Sequence, residues 1–75
     1  MRRVLPFTAI IEREGDGFVA LCPELDVASQ GDSVEEARAN LSEAIGLFLE
    51  AADPTELESR LRREVFVTRL EVGVG

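Results

Sequence analysis

Two stretches of strand-like alternation are separated by Glu14-Gly15-Asp16-Gly17, and this tetrapeptide constrains the fold more than any other part of the chain. Both glycines accept positive φ at no steric cost, so the tetrapeptide predicts a tight β-hairpin. Before it, Leu5, Phe7, Ala9 and Ile11 alternate across residues 4–13, with Ile10 on the other face. A period of two is that of a strand with one buried face. Pro6 has no N–H to give to a ladder, so this strand starts at an edge or a bulge. After the turn, Phe18-Val19-Ala20-Leu21-Cys22 returns and Pro23 ends it. Leu25, Val27 and Ser29 then predict a short third strand over residues 25–30, and Gly31 breaks it.

A helix follows. Ser33 is its expected N-cap, and Glu36, three residues on, completes a capping box. Glu35 and Glu36 complement the positive end of the helix dipole. Val34, Ala37, Leu41, Ala44, Ile45 and Phe48 form an apolar stripe at helical spacing, widened by Leu47 and Leu49. Pro54 pushes Asp53 out of the α region and ends the helix. Asp53, Pro54 and Glu56 in turn mark the start of a second, shorter helix to about Arg62. Residues 64–72 (EVFVTRLEV) predict a last strand, with Phe66, Leu70 and Val72 on one face and Val65 and Val67 on the other. A strand apolar on both faces is central in its sheet or covered by another subunit.

These elements predict one α+β domain over residues 1–75: a small, mostly antiparallel β-β-β-α-β sheet with the long helix on one face. A chain of 75 residues buries only about 60% of its unfolded surface. Cys22 is the only cysteine and there is no histidine, so neither a disulfide set nor a zinc cluster reinforces the core. A homo-oligomer, dimer or tetramer, is therefore expected, and Val65, Phe66 and Val67 are its candidate interface. With 15 acidic residues against 8 basic ones, all arginine, the net charge is −7. That balance opposes binding to nucleic acid and favours a basic protein partner. No apolar run reaches the roughly 20 residues of a membrane span. Met1-Arg2-Arg3-Val4-Leu5 superficially suggests a leader, but Pro6, Thr8 and Glu12 break the apolar stretch and no cleavage site follows. A cytoplasmic protein is expected.

The ordered set Phe7, Gly15, Asp16, Gly17, Phe18, Pro23, Gly31, Asp32, Ser33, Glu36 and Ala37, with Glu43-Ala44 further along the helix, resembles the HicB-like antitoxin domain. The resemblance covers roughly residues 5–50. It implies a partial, degenerate RNase H-like fold. It also implies, in complete members, an antitoxin that binds and silences a small basic RNA-cleaving toxin of the HicA type. Complete members carry a DNA-binding segment after this domain, and nothing after Glu50 here has that pattern.

RNase H-like catalysis needs convergent acids for two metals. Asp16, Glu24, Asp26, Asp32 and Glu36 are the candidates, but the hairpin turn explains Asp16, the helix entry Asp32 and the capping box Glu36. Glu24 and Asp26 remain, on a loop or edge, and their spacing favours a solvated acidic surface over a metal site. With no histidine, tyrosine or lysine, general acid–base chemistry near neutral pH lacks its usual groups. Cys22 sits in an apolar strand without a histidine partner and reads as a core residue. Arg60, Arg62, Arg63 and Arg69 could contact nucleic acid, but the interspersed Glu56, Glu58, Glu64 and Glu71 favour ion pairs. The expectation is a protein that is not an enzyme and uses no cofactor or metal. Glu12, Glu14 and Asp16 at the hairpin are its candidate partner-binding residues, against the plainer reading of a solvated hairpin tip.

Overall fold

The computed structural model describes residues 4–75; Met1-Arg2-Arg3, the basic part of the leader-like start, lies outside them. Three strands, β1 (Ile10–Glu14), β2 (Gly17–Cys22) and β3 (Val27–Gly31), precede α1 (Val34–Ala51) and α2 (Pro54–Leu61). The strands form an antiparallel sheet in the order β1-β2-β3. The fold is α+β, with the long helix packed on the sheet.

Local chemistry sets each boundary. Glu14 pairs with Gly17, leaving Gly15-Asp16 as a two-residue loop. Only Gly15 takes positive φ, +59°, as a II′ turn with glycine in its first central position requires. Cys22 pairs with Val27 across the turn at residues 23–26. Ser33 caps α1, its Oγ accepting from the Glu36 N–H at 3.0 Å. The reciprocal bond differs by one residue from the expected box: Glu36 Oε1 accepts from the Asp32 N–H at 3.2 Å. Asp53 caps α2, its carboxylate accepting from the Thr55 N–H at 2.8 Å, and Pro54 follows in the first turn.

Pleating divides the sheet into two faces. Ile11 and Ser29 flank Ala20, and Val27 lies opposite Cys22, so these residues share a face. Helix α1 covers that face, chiefly over β3 and β2. Ala20, Cys22, Leu25, Ala37 and Leu41 are fully buried, and Phe7, Ile11, Phe18, Val27, Ile45, Phe48 and Leu49 pack around them. Leu47, counted in the apolar stripe of the sequence, instead points to solvent at 61% exposure.

Two expected strands are corrected. β1 begins at Ile10 rather than at residue 4, because its partner strand stops: Ile10 pairs with Leu21, and beyond Cys22 the chain turns away at Pro23. Residues 4–9 continue without a ladder partner, although Phe7 still reaches the core. Residues 64–72 form no strand. After α2 the chain leaves the body of the molecule, with Phe66 84% and Leu70 83% exposed. Strand-forming side chains alone do not make a strand, because a strand's backbone groups need a neighbour to bond.

Candidate partner-binding cleft

Gly31 brings the acidic end of the molecule together. A Cβ there would lie 2.5 Å from the Ala37 nitrogen and 2.8 Å from the Glu36 carbonyl carbon. The first turn of α1 therefore sits directly on the end of β3, closer than any side chain would allow. This contact carries Asp32 and Glu36 to the hairpin end of the sheet, where Glu14 closes β1. The result is an open cleft of about 500 Å³ lined by Glu14, Phe18, Val19, Gln30, Asp32 and Glu36, with Gly17 and Gly31 between them. Three carboxylates line it and no basic side chain does. Among the described residues, the ion pairs engage Asp26, Glu56 and Glu58 and none of these three acids. Arg13 instead lies over the Phe18 ring, 4.6 Å from its centre. Such a cleft suits a guanidinium or ammonium group from a partner.

Of the three acids singled out from the sequence, Glu14 lines the cleft. Glu12 and Asp16 are exposed on the hairpin but do not line it. The sequence explains Asp32 by helix entry and Glu36 by capping. Both do bond there, yet the packing at Gly31 also makes them cleft walls. The close glycine immediately before a capping box was the available sequence signal.

A second polar centre lies at the opposite end, around the β2–β3 turn. The Glu24 carboxylate accepts from the Thr8 hydroxyl at 2.6 Å, from the Thr8 N–H at 3.1 and 3.2 Å, and from the Cys22 thiol at 3.4 Å. Burial alone pushes the Glu24 pKa up, but the bonds from Thr8 outweigh it and hold the carboxyl below its ordinary value. Burial pushes the Cys22 thiol up, and the Glu24 carboxylate adds to that rise. Cys22 is thus a protonated core residue with a polar handle.

Asp26 adopts φ +56°, a left-handed conformation that aspartate tolerates better than most residues. Arg60 donates to the Leu25 carbonyl at 3.0 Å, and Arg63 donates to the Glu24 carbonyl at 3.4 Å. Both arginines also meet Asp26 at 3.4 Å. Arg62 pairs with Glu58 one helical turn away. The expected ion pairing of this basic stretch is therefore present for Arg60, Arg62 and Arg63. Glu24 and Asp26 serve as structural ties for Thr8 and α2. Among the described residues, no cluster of three or more His, Cys, Asp or Glu side chains is placed to hold a metal ion. No helix of these residues is long and apolar enough to cross a membrane.

Val65 is half-buried, while Phe66 and Val67 are exposed. Phe66 and Val67 thus form an exposed apolar stretch.

No family model matches the sequence, and no solved structure matches it. Curated relatives do. The UPF0150 protein ssr1765 of Synechocystis is 42% identical over 52 residues, 67% of this chain and 66% of its own. A second Synechocystis protein, UPF0150 protein ssl0738, is 51% identical over 45 residues, covering 57% of this chain and 62% of its own. The match thus spans slightly less than two thirds of either cyanobacterial protein. A UPF0150 protein of Helicobacter pylori is 35% identical over 65 residues, which cover 85% of this chain and 90% of the relative. At 35% identity over 85% of its length, covering 90% of that protein, the chain belongs to the UPF0150 family.

Proposed function

We propose that this UPF0150 protein is a HicB-like, antitoxin-type binding module that silences a small basic RNA-cleaving toxin by covering its RNA-binding surface. The observation that carries the proposal is the cleft of Glu14, Asp32 and Glu36, lined by three acids and no basic side chain. An RNA-cleaving protein presents cations to phosphate, and an acidic cleft on a chain of net charge −7 is complementary to them in local geometry and in long-range field. Glu12 and Asp16, exposed on the same hairpin, extend the acidic surface and steer the approach. The protein acts by occlusion, in the cytoplasm, without a cofactor or catalysis of its own, and its target is a protein rather than nucleic acid.

The test is capture from the native organism at low salt, with the wild type beside a Glu12→Arg/Glu14→Arg/Asp16→Arg variant. The expected result is a small basic protein at near-stoichiometric yield with the wild type, lost with the variant, whose RNA cleavage the wild type inhibits. A basic partner held equally by both proteins would remove the hairpin from the interface. Absence of any such partner would remove the antitoxin role.

A second reading rests on a different observation. The exposed apolar residues of the C-terminal segment favour a homo-oligomer, and self-association does not depend on a toxin.

A further inference from the structure

The molecule contains two stretches with no ladder partner; in the first, the Thr8 N–H alone is engaged, by the Glu24 carboxylate. Among the described residues, neither 4–9 nor 64–72 belongs to a helix or strand. Neither takes part in the backbone–backbone bonds of the turns and caps. The first stretch forms one wall of a groove of about 390 Å³, and α1 forms the other. Leu5, Phe7, Ala9, Leu41 and Ile45 make it apolar, and Arg38 stands at its wall. The second stretch is alternating and apolar, with Phe66, Leu70 and Val72 at 84%, 83% and 75% exposure.

We propose that residues 64–72 of one copy lie in the groove between residues 4–9 and α1 of a second copy, adding a strand beside β1. Each copy supplies the same segment to the other. This inference rests on the self-association reading above and assigns its geometry.

Four observations select this occupant and this site. First, β3 is the poorer edge. Helix α1 packs chiefly over β3 and β2, and Asn40 Nδ2 already donates to the Gln30 carbonyl of β3 at 2.8 Å. The β1 side is the more open one. Second, the lengths agree. About nine extended residues span roughly 30 Å, close to the reach of residues 4–12. Third, the charges are complementary at the groove, where Arg38 can meet Glu64 or Glu71 of the incoming segment. Fourth, a two-fold pair fills both grooves and covers both segments, whereas an unrelated partner in the groove leaves this chain's own segment bare. Two exchanged segments bury on the order of 1,500 Å² in total, within the class of stable interfaces. The core that gains from this is small, since two of its five fully buried residues are alanines, Ala20 and Ala37.

The test uses the full chain in two spoiled forms, with molecular mass followed by sedimentation and the fold by far-ultraviolet circular dichroism. Phe66→Glu/Leu70→Glu spoils the segment and keeps the groove; Leu5→Glu/Ala9→Glu spoils the groove and keeps the segment. Wild type is expected to be a dimer, and each variant a folded monomer. An equimolar mixture of the two variants is expected to recover a dimer of one copy of each, through the one remaining intact exchange. In wild type, amides of residues 4–12 and 64–72 should gain protection from hydrogen exchange together as concentration rises. This second measurement decides the matter should either variant fail to fold. A wild-type monomer overturns both the exchange and self-association. A wild-type oligomer indifferent to both pairs of substitutions overturns the exchange alone. Variants that stay monomeric when mixed also overturn the proposal.

Discussion

Glu24 shows how one side chain can tie two distant parts of a chain. It accepts from both polar groups of Thr8 and from the Cys22 thiol. These bonds hold residues 4–9 against the sheet where no ladder does. Replacing Glu24 by alanine leaves the Thr8 N–H without this acceptor. The expected cost is about 1–2 kcal/mol, at the lower end of the range for a bond to a charged group because the site is only part-buried. The pH dependence has a definite sign. The folded pKa of Glu24 lies below the ordinary value, so its stabilisation is complete above the unfolded glutamate pKa of roughly 4.3. It is lost as pH falls further, through the folded value. Urea denaturation of wild type and Glu24→Gln between pH 7 and pH 3 checks this. The gap between the two proteins should narrow on the acid side.

At the scale of elements, α2 is the least self-sufficient. It is a helix of 8 residues with no buried side chain, and a helix that short is not stable alone in water. Arg60 anchors it, through the Leu25 carbonyl, Asp26 and the Phe48 ring at 5.8 Å. Arg60→Ala is expected to cost about 1 kcal/mol, discounted for partial exposure. It should also release α2 from hydrogen-exchange protection while α1 keeps its own. Arg62→Ala, which removes only a solvated pair with Glu58, should change neither. The hairpin, β3, α1 and α2 were all legible in the sequence, because each carries its own signal: Gly15, Pro23 and Gly31, Ser33, and Asp53-Pro54. The N-terminal end of β1 and the last strand were not, because alternation in residues 4–9 and 64–72 reports what those residues could pair with, not whether the chain supplies the neighbour. The cleft was half legible. Glu14 was found as part of a charged hairpin, whereas Asp32 and Glu36 were hidden behind their capping duties. The roles of Glu24 with Thr8, and of Arg60 with Leu25, depend on contacts between residues far apart in the chain, which no local pattern encodes.

At the scale of the whole molecule, the net charge of −7 acts oppositely on the two proposed associations. Like copies repel, so screening should strengthen self-association. A basic partner is attracted, so screening should weaken its binding. The Debye length falls from about 10 Å at 0.1 M salt to about 3 Å at 1 M. Across that range the dimer dissociation constant is expected to fall or hold steady, and that for a basic partner to rise at least tenfold. Sedimentation and titration calorimetry on the same preparation would measure both. Parallel behaviour of the two constants would mean that charge does not govern partner binding.

The tie at the β2–β3 turn also bears on the order in which the chain is completed. Arg60 and Arg63 reach back across 35 and 39 residues to Leu25 and Glu24, whereas the hairpins and the α1 cap close over short separations. Contacts that close long loops form late, and a chain made from its N-terminus folds in roughly that direction. The sheet and α1 can therefore close first, and the groove beside residues 4–9 stands open until α2 has docked and the segment after it is placed.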